Sequence, residues 1–284
     1  MLGSTGFAGS YLSLGLSALG YDVANAGFKN SGSTGYSVDL TDLNACRRLM
    51  KDVCPEVIVN LVALTDVEKC ELKPEEAFSL NVDISINISK VVMESGCEQL
   101  IHISTDHVYS GQGHQSEEEA APINYYGKTK LKGEQPILEC GGLVLRTNFF
   151  GKGCSRKPNL LSWVLKSLEQ RQRINGFTDV YFNPIWACSL SNYVDLAITN
   201  YKPGVYNLGT NGGLSKYDFA ISVCQQIGGD CDLICPSNYT SVETTVPRPL
   251  DMRMNVKKFE STFLVEMPSF YNEIKECIHE EYKF

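Results

Sequence analysis

The chain has 284 residues, of which 43% are hydrophobic and 20% charged, a composition that suits one large or two modest globular domains with a real core. The net charge of -8 argues against a nucleic-acid partner, so an anionic ligand would have to be met by local donors. No stretch approaches the roughly 20 apolar residues of a membrane span and no signal-peptide pattern is present, so we expect a cytoplasmic protein with no membrane partner.

A glycine-rich turn comes first. Met1 and Leu2 lead directly into a Gly-x-x-Gly-x-x-Gly pattern, and a helix is predicted from there to about Leu19. Such a turn lets backbone N–H groups approach a pyrophosphate at the start of a helix. The strand-like stretch 21–26 follows, which strengthens the interpretation as a dinucleotide-binding unit. The predicted cofactor contacts in the turn are Gly3, Thr5, Gly6, Phe7 and Ala8.

The first strand of such a unit is unusually short here. A parallel strand normally supplies about five residues before the first glycine, and only Met1 and Leu2 precede Gly3. We expect the natural chain to begin upstream, with Met1 as a strand residue. The alternative is a natural truncation that leaves the central strand short and the fold weakened.

Cofactor preference is predicted from the end of the second strand, where an acidic residue would bind the ribose 2′-hydroxyl of NAD. Residues 25–38 contain no Asp or Glu, but they contain Lys29. A missing carboxylate removes repulsion toward a 2′-phosphate and the lysine can pair with it, so NADP is preferred over NAD. The alternatives are that Lys29 is a solvated loop residue and that both cofactors are used.

The next elements alternate in the way that predicts a parallel sheet. Asp42 is a candidate N-cap for a helix over 43–53, and 57–63 reads as a buried strand with its loop. The pattern predicts a helix over 74–94 and a strand over 99–104 that delivers Thr105. The polar, acidic residues 110–122 are predicted to form a surface lid or an interface.

Tyr126 and Lys130 lie four residues apart, so in a helix their side chains share one face. A phenol has an unperturbed pKa of about 10, and a nearby ammonium lowers it by stabilising the phenolate. The pair therefore predicts an acid that gives a proton to a developing alkoxide. Thr105, at a strand end, is placed to hydrogen-bond the same oxygen. The alternative is that Tyr-x-x-x-Lys is an ordinary helix-surface pair.

Further elements follow to the C-terminus. A buried strand is predicted over 142–147, helices over 160–170 and 215–227, and a strand over 204–209, with C-terminal helices beyond. The basic loop 149–157 is either solvated or a diphosphate contact. The 11 cysteines are odd in number and lack zinc-finger spacing, so we expect free thiols and no metal site.

These motifs together resemble the extended short-chain dehydrogenase/reductase family. The wording Ser-Thr-Asp-x-Val-Tyr-x-Gly at 104–111, with Tyr-Gly-Lys-Thr-Lys-Leu-x-Gly-Glu at 126–134, looks most like the dTDP-4-dehydrorhamnose reductases and their relatives. The resemblance implies catalytic roles for Thr105, Tyr126 and Lys130. It implies cofactor contacts at Asp39, Leu40, Leu61, Val62, Ala63, Thr65, Ser104, Tyr126 and Lys130, although Leu61 and Val62 are bulkier than the family's usual alanines.

The residues after Thr105 distinguish between reactions within this family. Sugar-nucleotide 4,6-dehydratases carry Asp-Glu there as an acid and base, whereas this chain has Asp106 and His107. Simple carbonyl reduction is therefore favoured over dehydration. His107 is either a proton shuttle or, as we prefer, a packing residue of the pocket. The predicted substrate contacts are Asp106, His107, Val108, Asn148 and Arg248.

The sequence thus predicts an α/β protein with a Rossmann-type doubly wound parallel sheet and a smaller substrate-binding domain. The NAD(P)-binding domain is assigned to 1–150 with a return segment near 183–202, and the substrate domain to 151–182 and 203–284. The expected function is NADPH-dependent reduction of the 4-keto group of a nucleotide-linked 6-deoxysugar. A homodimer is the expected assembly. The alternatives are a non-catalytic regulatory subunit like the methionine adenosyltransferase β subunit, or a nucleotide-sugar epimerase or dehydratase.

Overall fold

A computed structural model describes residues 1–28, 35–153, 159–241 and 244–282. The helices of these residues are α1 Phe7–Ala18, α2 Leu43–Val53, α3 Val67–Leu72, α4 Pro74–Phe78, α5 Ile84–Ser95, α6 Tyr125–Glu139, α7 Leu160–Glu169, α8 Leu190–Thr199, α9 Lys216–Gln226, α10 Lys257–Phe263 and α11 Phe270–Glu281. The strands are β1 Ala26–Gly27, β2 Tyr36–Ser37, β3 Val57–Asn60, β4 Gln99–Thr105, β5 Leu143–Thr147, β6 Phe149–Phe150, β7 Ile174–Phe177, β8 Tyr181–Phe182, β9 Ile185–Trp186, β10 Gly204–Leu208, β11 Leu214–Ser215 and β12 Ile234–Ser237.

A parallel sheet forms the centre of the protein. Strands run in the order β10-β5-β4-β3, all parallel. Leu2 bridges Asn60 on one side and Ala26 on the other, also in parallel, and so joins β3 to the β1-β2 pair. The resulting order places the chain start between β1 and β3, with the strand sequence reversing there, which is the Rossmann-type doubly wound arrangement. The predicted fold class is confirmed.

Two apolar cores divide the molecule. The first lies between the sheet and helices α1, α8 and α10, with a companion cluster between the sheet and helices α2 and α5. The second is separate and brings together α7, α9 and α11 with β7, β8 and β12. Strand β10 and helix α10 pack with the sheet, although the sequence predicted them in the substrate domain; their apolar faces match the first core and not the second.

The helix predicted over 74–94 is present but is interrupted by a π-helical turn, Ser79–Asp83, between α4 and α5. Asn81 in this turn accepts from the Leu64 N–H (2.7 Å) and donates to the Thr129 hydroxyl (2.9 Å). The extra residue of the turn aims this amide at the loop after β3 and at α6. Asn81 therefore ties the two segments together.

The segment 110–122 is not a lid. Gln115 is buried and its backbone pairs with the backbone at Arg253 and Asn255. The carboxylate of Glu117, also buried, accepts from the Asn207 N–H on β10 (2.8 Å). A polar side chain that is buried and hydrogen-bonded holds its segment in place, so this polar stretch is a structural connection between the sheet and the C-terminal segments.

No helix in the described part of the chain is long and apolar enough to cross a bilayer. The cysteines within the same ranges are free thiols, several of them buried.

Candidate active site

Helix α6 sets the position of the Tyr-x-x-x-Lys pair. Asn124 caps it by accepting from the Gly127 N–H (2.9 Å), so Tyr126 falls in the first turn. A Cβ at Gly127 would lie 2.3 Å from the His107 carbonyl oxygen. Glycine at this position therefore allows the start of the helix to approach the end of β4, which ends at Thr105.

Thr105 and Tyr126 meet at this junction. Both side chains are buried, and the Thr105 hydroxyl lies close enough to the Tyr126 phenol to act on its pKa. Burial raises the pKa of the Tyr126 phenol, with the nearby Asp106 acting in the same direction, and the Thr105 contact opposes the rise. The phenol is therefore a protonated donor in this structure. The predicted mechanism requires these two hydroxyls to reach one oxygen.

Lys130 takes a different position from the one predicted. Its amine donates to the Ile103 carbonyl (2.8 Å) and lies 3.2 Å from His102 Nε2. It is not among the groups that shift the pKa of Tyr126. The lowering of this pKa by Lys130 stays a prediction, because strand β4 offers the amine two polar partners in this structure.

Asp106 and His107 follow Thr105 in a short 3-10 turn. Burial raises the pKa of the Asp106 carboxyl to about 6, against hydrogen bonds from Asn148 (2.7 Å) and Thr105 (3.2 Å) that favour its ionised form. The His107 ring packs edge-on against Tyr126, with ring centroids 5.4 Å apart. Burial lowers the pKa of His107 to about 4. A neutral ring at neutral pH fits the packing role and not the proton shuttle.

Two cationic side chains, Lys216 and Arg248, lie near Asp106 and His107. The guanidinium of Arg248 pairs with Glu68. Lys216, at the start of α9, interacts electrostatically with Asp106 and Arg248, and burial lowers the pKa of its amine. Among the described residues, no side-chain hydrogen bond or ion pair satisfies Lys216. His107 Nδ1 is likewise buried without a partner. Unpaired groups of this kind are suited to bind a polar, anionic ligand.

The glycine-rich turn fits a pyrophosphate. Gly3 has φ +84°, and a Cβ there would lie 3.1 Å from the Val62 N. A Cβ at Gly9 would lie 2.2 Å from the Gly3 carbonyl oxygen, so these glycines allow the close packing of turn, helix and loop. Gly6 caps α1 without a side-chain hydrogen bond, which leaves the first-turn N–H groups open, including those of Phe7 and Ala8.

The other predicted cofactor residues surround the carboxyl edge of the sheet. Asp39 is exposed and accepts from both the N–H and the hydroxyl of Thr41, and the adjacent Leu40 is buried. The side chains of Leu61 and Val62 pack against two apolar cores, which accommodates their bulk away from the loop surface. Ala63 is half-buried and Thr65 exposed in the same loop. Lys29 lies outside the described residues.

Two predicted contacts turn their side chains away from the site. Ser104 donates to the Glu134 carboxylate (2.5 Å), which also pairs with Arg146 (2.8 Å) in a buried cluster. Val108 is fully buried in an apolar cluster with Met254. Ser104 and Val108 could therefore contact a ligand only through their backbone atoms.

Cavity size does not identify the site. A cavity of about 890 Å³ lies toward the amino edge of the sheet, where Val23, Asp52 and Val57 line it together with the first residues of the chain. Neither Thr105 nor Tyr126 borders this cavity. The site is located by the chemistry of the side chains at the opposite edge. No group of three or more potential metal ligands is found in the described ranges.

Three residues near the site were not recognised from sequence. His102 is the one polar residue inside the apolar run of β4, and a buried polar side chain needs a partner, so it carried a usable signal. Glu134 lies eight residues after Tyr126 on the same helix face. Lys216 gave no signal, because only the packing of α9 brings it beside Asp106.

The sheet, the glycine-rich turn and the Thr105–Tyr126–Lys130 set define an extended short-chain dehydrogenase/reductase. More narrowly, the chain belongs to the family described as the RmlD substrate binding domain, whose model matches residues 1–283.

Individual relatives agree with this placement. The dTDP-4-dehydrorhamnose reductase of Escherichia coli is 30% identical over 299 residues, covering 99% of this chain and 96% of that protein. Methionine adenosyltransferase 2 subunit beta of Pongo abelii is 27% identical over 301 residues, covering 97% and 85%. Among solved structures, dTDP-4-dehydrorhamnose reductase from Bacillus anthracis in complex with NADP has a TM-score of 0.88 at 22% identity, covering 98% of this chain and 97% of that one.

Proposed function

We propose that the protein is an NADPH-dependent reductase that converts the 4-keto group of a nucleotide-linked 6-deoxysugar to a hydroxyl. The observation that carries the proposal is the meeting of the buried Thr105 and Tyr126 hydroxyls at the carboxyl edge of the sheet. Ligands of doubly wound sheets bind at this edge, where the strand order reverses. The reductase relatives and the NADP-bound structure support the same chemistry and the same cofactor.

The chain's own residues account for the proton half of the reaction. When bound, NADPH supplies the hydride to the keto carbon. The Tyr126 phenol is protonated in this structure and donates to the carbonyl oxygen as charge develops there. Thr105 shares that oxygen and orients it. Lys130, once it reaches the nicotinamide ribose, stabilises the resulting phenolate.

The cofactor is held by the glycine-rich turn and the loops around it. The first-turn N–H groups of α1, with Gly3 and Gly6, are suited to the pyrophosphate. Asp39 and Leu40 are assigned to the adenine side, and Leu61 to Thr65 to the nicotinamide side. We retain Lys29 as the residue that favours the 2′-phosphate of NADP over NAD.

We assign the substrate to the part of the site that faces the second apolar core, which contains α9. Lys216 and Arg248 provide positive charge for a diphosphate, and Asp106, Asn148 and His107 border the sugar. His107 is neutral, so the position that supplies the dehydratases' second acid/base group has no ionisable function here at neutral pH. We assign the substrate domain to the second core and the nucleotide-binding domain to the sheet with α10, and we carry forward the predicted homodimer.

The direct test is NADPH oxidation with a panel of nucleotide-linked 4-keto-6-deoxysugars, with NADH in parallel. Turnover with one member at a lower KM for NADPH than for NADH is the expected result. Tight NADPH binding without turnover on any member would refute the reductase and favour a regulatory subunit, in line with the similarity to methionine adenosyltransferase 2 subunit beta.

A further inference from the structure

A chain of hydrogen bonds leads from the loop after β3 to the amine of Lys130. The Val62 N–H donates to Asn60 Oδ1 (3.0 Å), which fixes the orientation of that amide. Asn60 Nδ2 lies 3.0 Å from His102 Nδ1, and His102 Nε2 lies 3.2 Å from Lys130 Nζ. Lys130 in turn donates to the Ile103 carbonyl (2.8 Å).

The donors and acceptors in this series of hydrogen bonds determine whether Lys130 can carry a charge. Asn60 presents its NH₂ group to His102, so Nδ1 of the ring must accept. A neutral imidazole that accepts at Nδ1 carries its proton on Nε2. That N–H points at Lys130 Nζ, and an ammonium has no lone pair to accept it. The contact is satisfied only if Lys130 is a neutral amine.

The surroundings favour the same state. His102 is 1% exposed and Lys130 2%. Burial lowers the pKa of both groups, that of Lys130 to about 8, and the charge of Lys130 lowers the pKa of His102 further. Glu134 on the same helix opposes this lowering, but its carboxylate is already engaged by Arg146 on β5. The remaining ionisable neighbour on this helix face is the Tyr126 phenol, which burial keeps neutral.

We propose that His102 is a positioning residue that favours the neutral amine of Lys130 at mildly alkaline pH in the cofactor-free protein, and that binding of the nicotinamide cofactor in that pH range releases Lys130 as an ammonium with uptake of one proton. The inference rests on the NADPH binding in the proposed function. It assigns His102 no contact with cofactor or substrate. It explains why the amine of Lys130 contacts His102 and Ile103 of β4, and not Tyr126, before the cofactor binds.

The sign of the linkage is fixed by the two states of Lys130. Its pKa is low in the free protein and returns toward the ordinary lysine value of about 10.4 in the complex. Between these two pKa values, NADPH binding takes up a proton, so its affinity falls as the pH rises. NADPH affinity is full below about pH 8 and falls about tenfold per pH unit above it. This window lies above the titration of a phosphate monoester near pH 6.

Two measurements on the cofactor complex test the proposal without any substrate. NADPH fluorescence titrations from about pH 7 to 9.5 are expected to show the Kd rising about tenfold between pH 7 and pH 9, with most of the rise above pH 8. Calorimetry at about pH 8.5, in two buffers of different ionisation enthalpy, is expected to show most of one proton taken up per NADPH bound. A flat Kd, or no difference between the buffers, would overturn the inference.

Variants separate His102 from other causes. In His102→Gln the side-chain carbonyl can accept from an ammonium, so Lys130 stays charged and the alkaline fall in affinity shifts upward by about one pH unit or more. Lys130→Met removes the fall altogether. His114→Gln is the matched control, because His114 is exposed and remote, and it should leave the fall unchanged.

The outcomes distinguish the inference from the proposed function. An unchanged pH profile in a folded His102→Gln protein would refute the role of His102. If this variant does not fold, the proton uptake of the unaltered protein decides the question. Failure to bind NADPH at about pH 7 would refute the proposed function and the inference together, whereas binding without proton uptake would refute the inference alone.

Discussion

Replacing Asp106 by Asn should remove a pH-dependent cost from the folded protein. The carboxyl is fully buried, and its pKa rises from 3.8 to about 6. Each pKa unit corresponds to about 1.4 kcal/mol between the protonation states, so the shift amounts to about 3 kcal/mol. Because the pKa of Asp106 is higher in the folded state than in the unfolded state, protonation of its carboxyl favours folding. This contribution to the free energy of unfolding is fully present below about pH 4 and is lost as the pH rises to about 6.

The assay is urea unfolding at several values between about pH 4.5 and 7.5, for the unaltered protein and Asp106→Asn side by side. The free energy of unfolding of the unaltered protein should fall by about 2–3 kcal/mol relative to the variant across this range. Asp22→Asn, at an exposed position, is the matched control and should run parallel to the unaltered protein. Parallel curves for Asp106→Asn would show that the carboxyl is not buried and perturbed as described.

Three further substitutions test other parts of the account. Gly9→Ala places a Cβ 2.2 Å from the Gly3 carbonyl oxygen and should lower the free energy of unfolding by about 1–3 kcal/mol in urea; Gly6→Ala, where the nearest atom is 3.4 Å away, should lower it by less than about 1 kcal/mol. Glu134→Gln leaves the Arg146 guanidinium buried without a countercharge and should cost about 3–5 kcal/mol in the same assay; an exposed-pair value below about 1 kcal/mol would contradict the burial of this pair. Lys216→Met should raise the KM for the sugar nucleotide by about tenfold, the effect of losing about 1.4 kcal/mol, while the Kd of NADPH stays unchanged; an equal effect on both would remove Lys216 from the substrate side.

Local patterns in the sequence were enough to predict the main elements. The glycine-rich turn with its helix, the Asp42 cap of α2 and the strand delivering Thr105 all depend on neighbouring residues, and the structure has them. The approach of Thr105 to Tyr126 was also predictable, because one residue ends a strand and the other begins the next helix of the sheet.

The partners of long polar side chains were not predictable in the same way. Lys130 shares a helix face with Tyr126, but the choice between Tyr126 and His102 depends on how α6 lies across β4, which no local pattern encodes. The polar composition of residues 110–122 predicts a surface lid or an interface. Glu117 in that segment is instead buried because β10, about 90 residues later in the chain, offers an N–H that it can accept.

The most direct test of the central claim is the reductase activity of Tyr126→Phe, measured as NADPH oxidation with the sugar nucleotide that the unaltered protein turns over. Phenylalanine keeps the packing against His107 and removes only the hydroxyl beside Thr105. We predict a fall in kcat of about 10²- to 10⁴-fold, with the Kd of NADPH nearly unchanged. Turnover by Tyr126→Phe at the rate of the unaltered protein would contradict the assignment of Tyr126 as the proton donor.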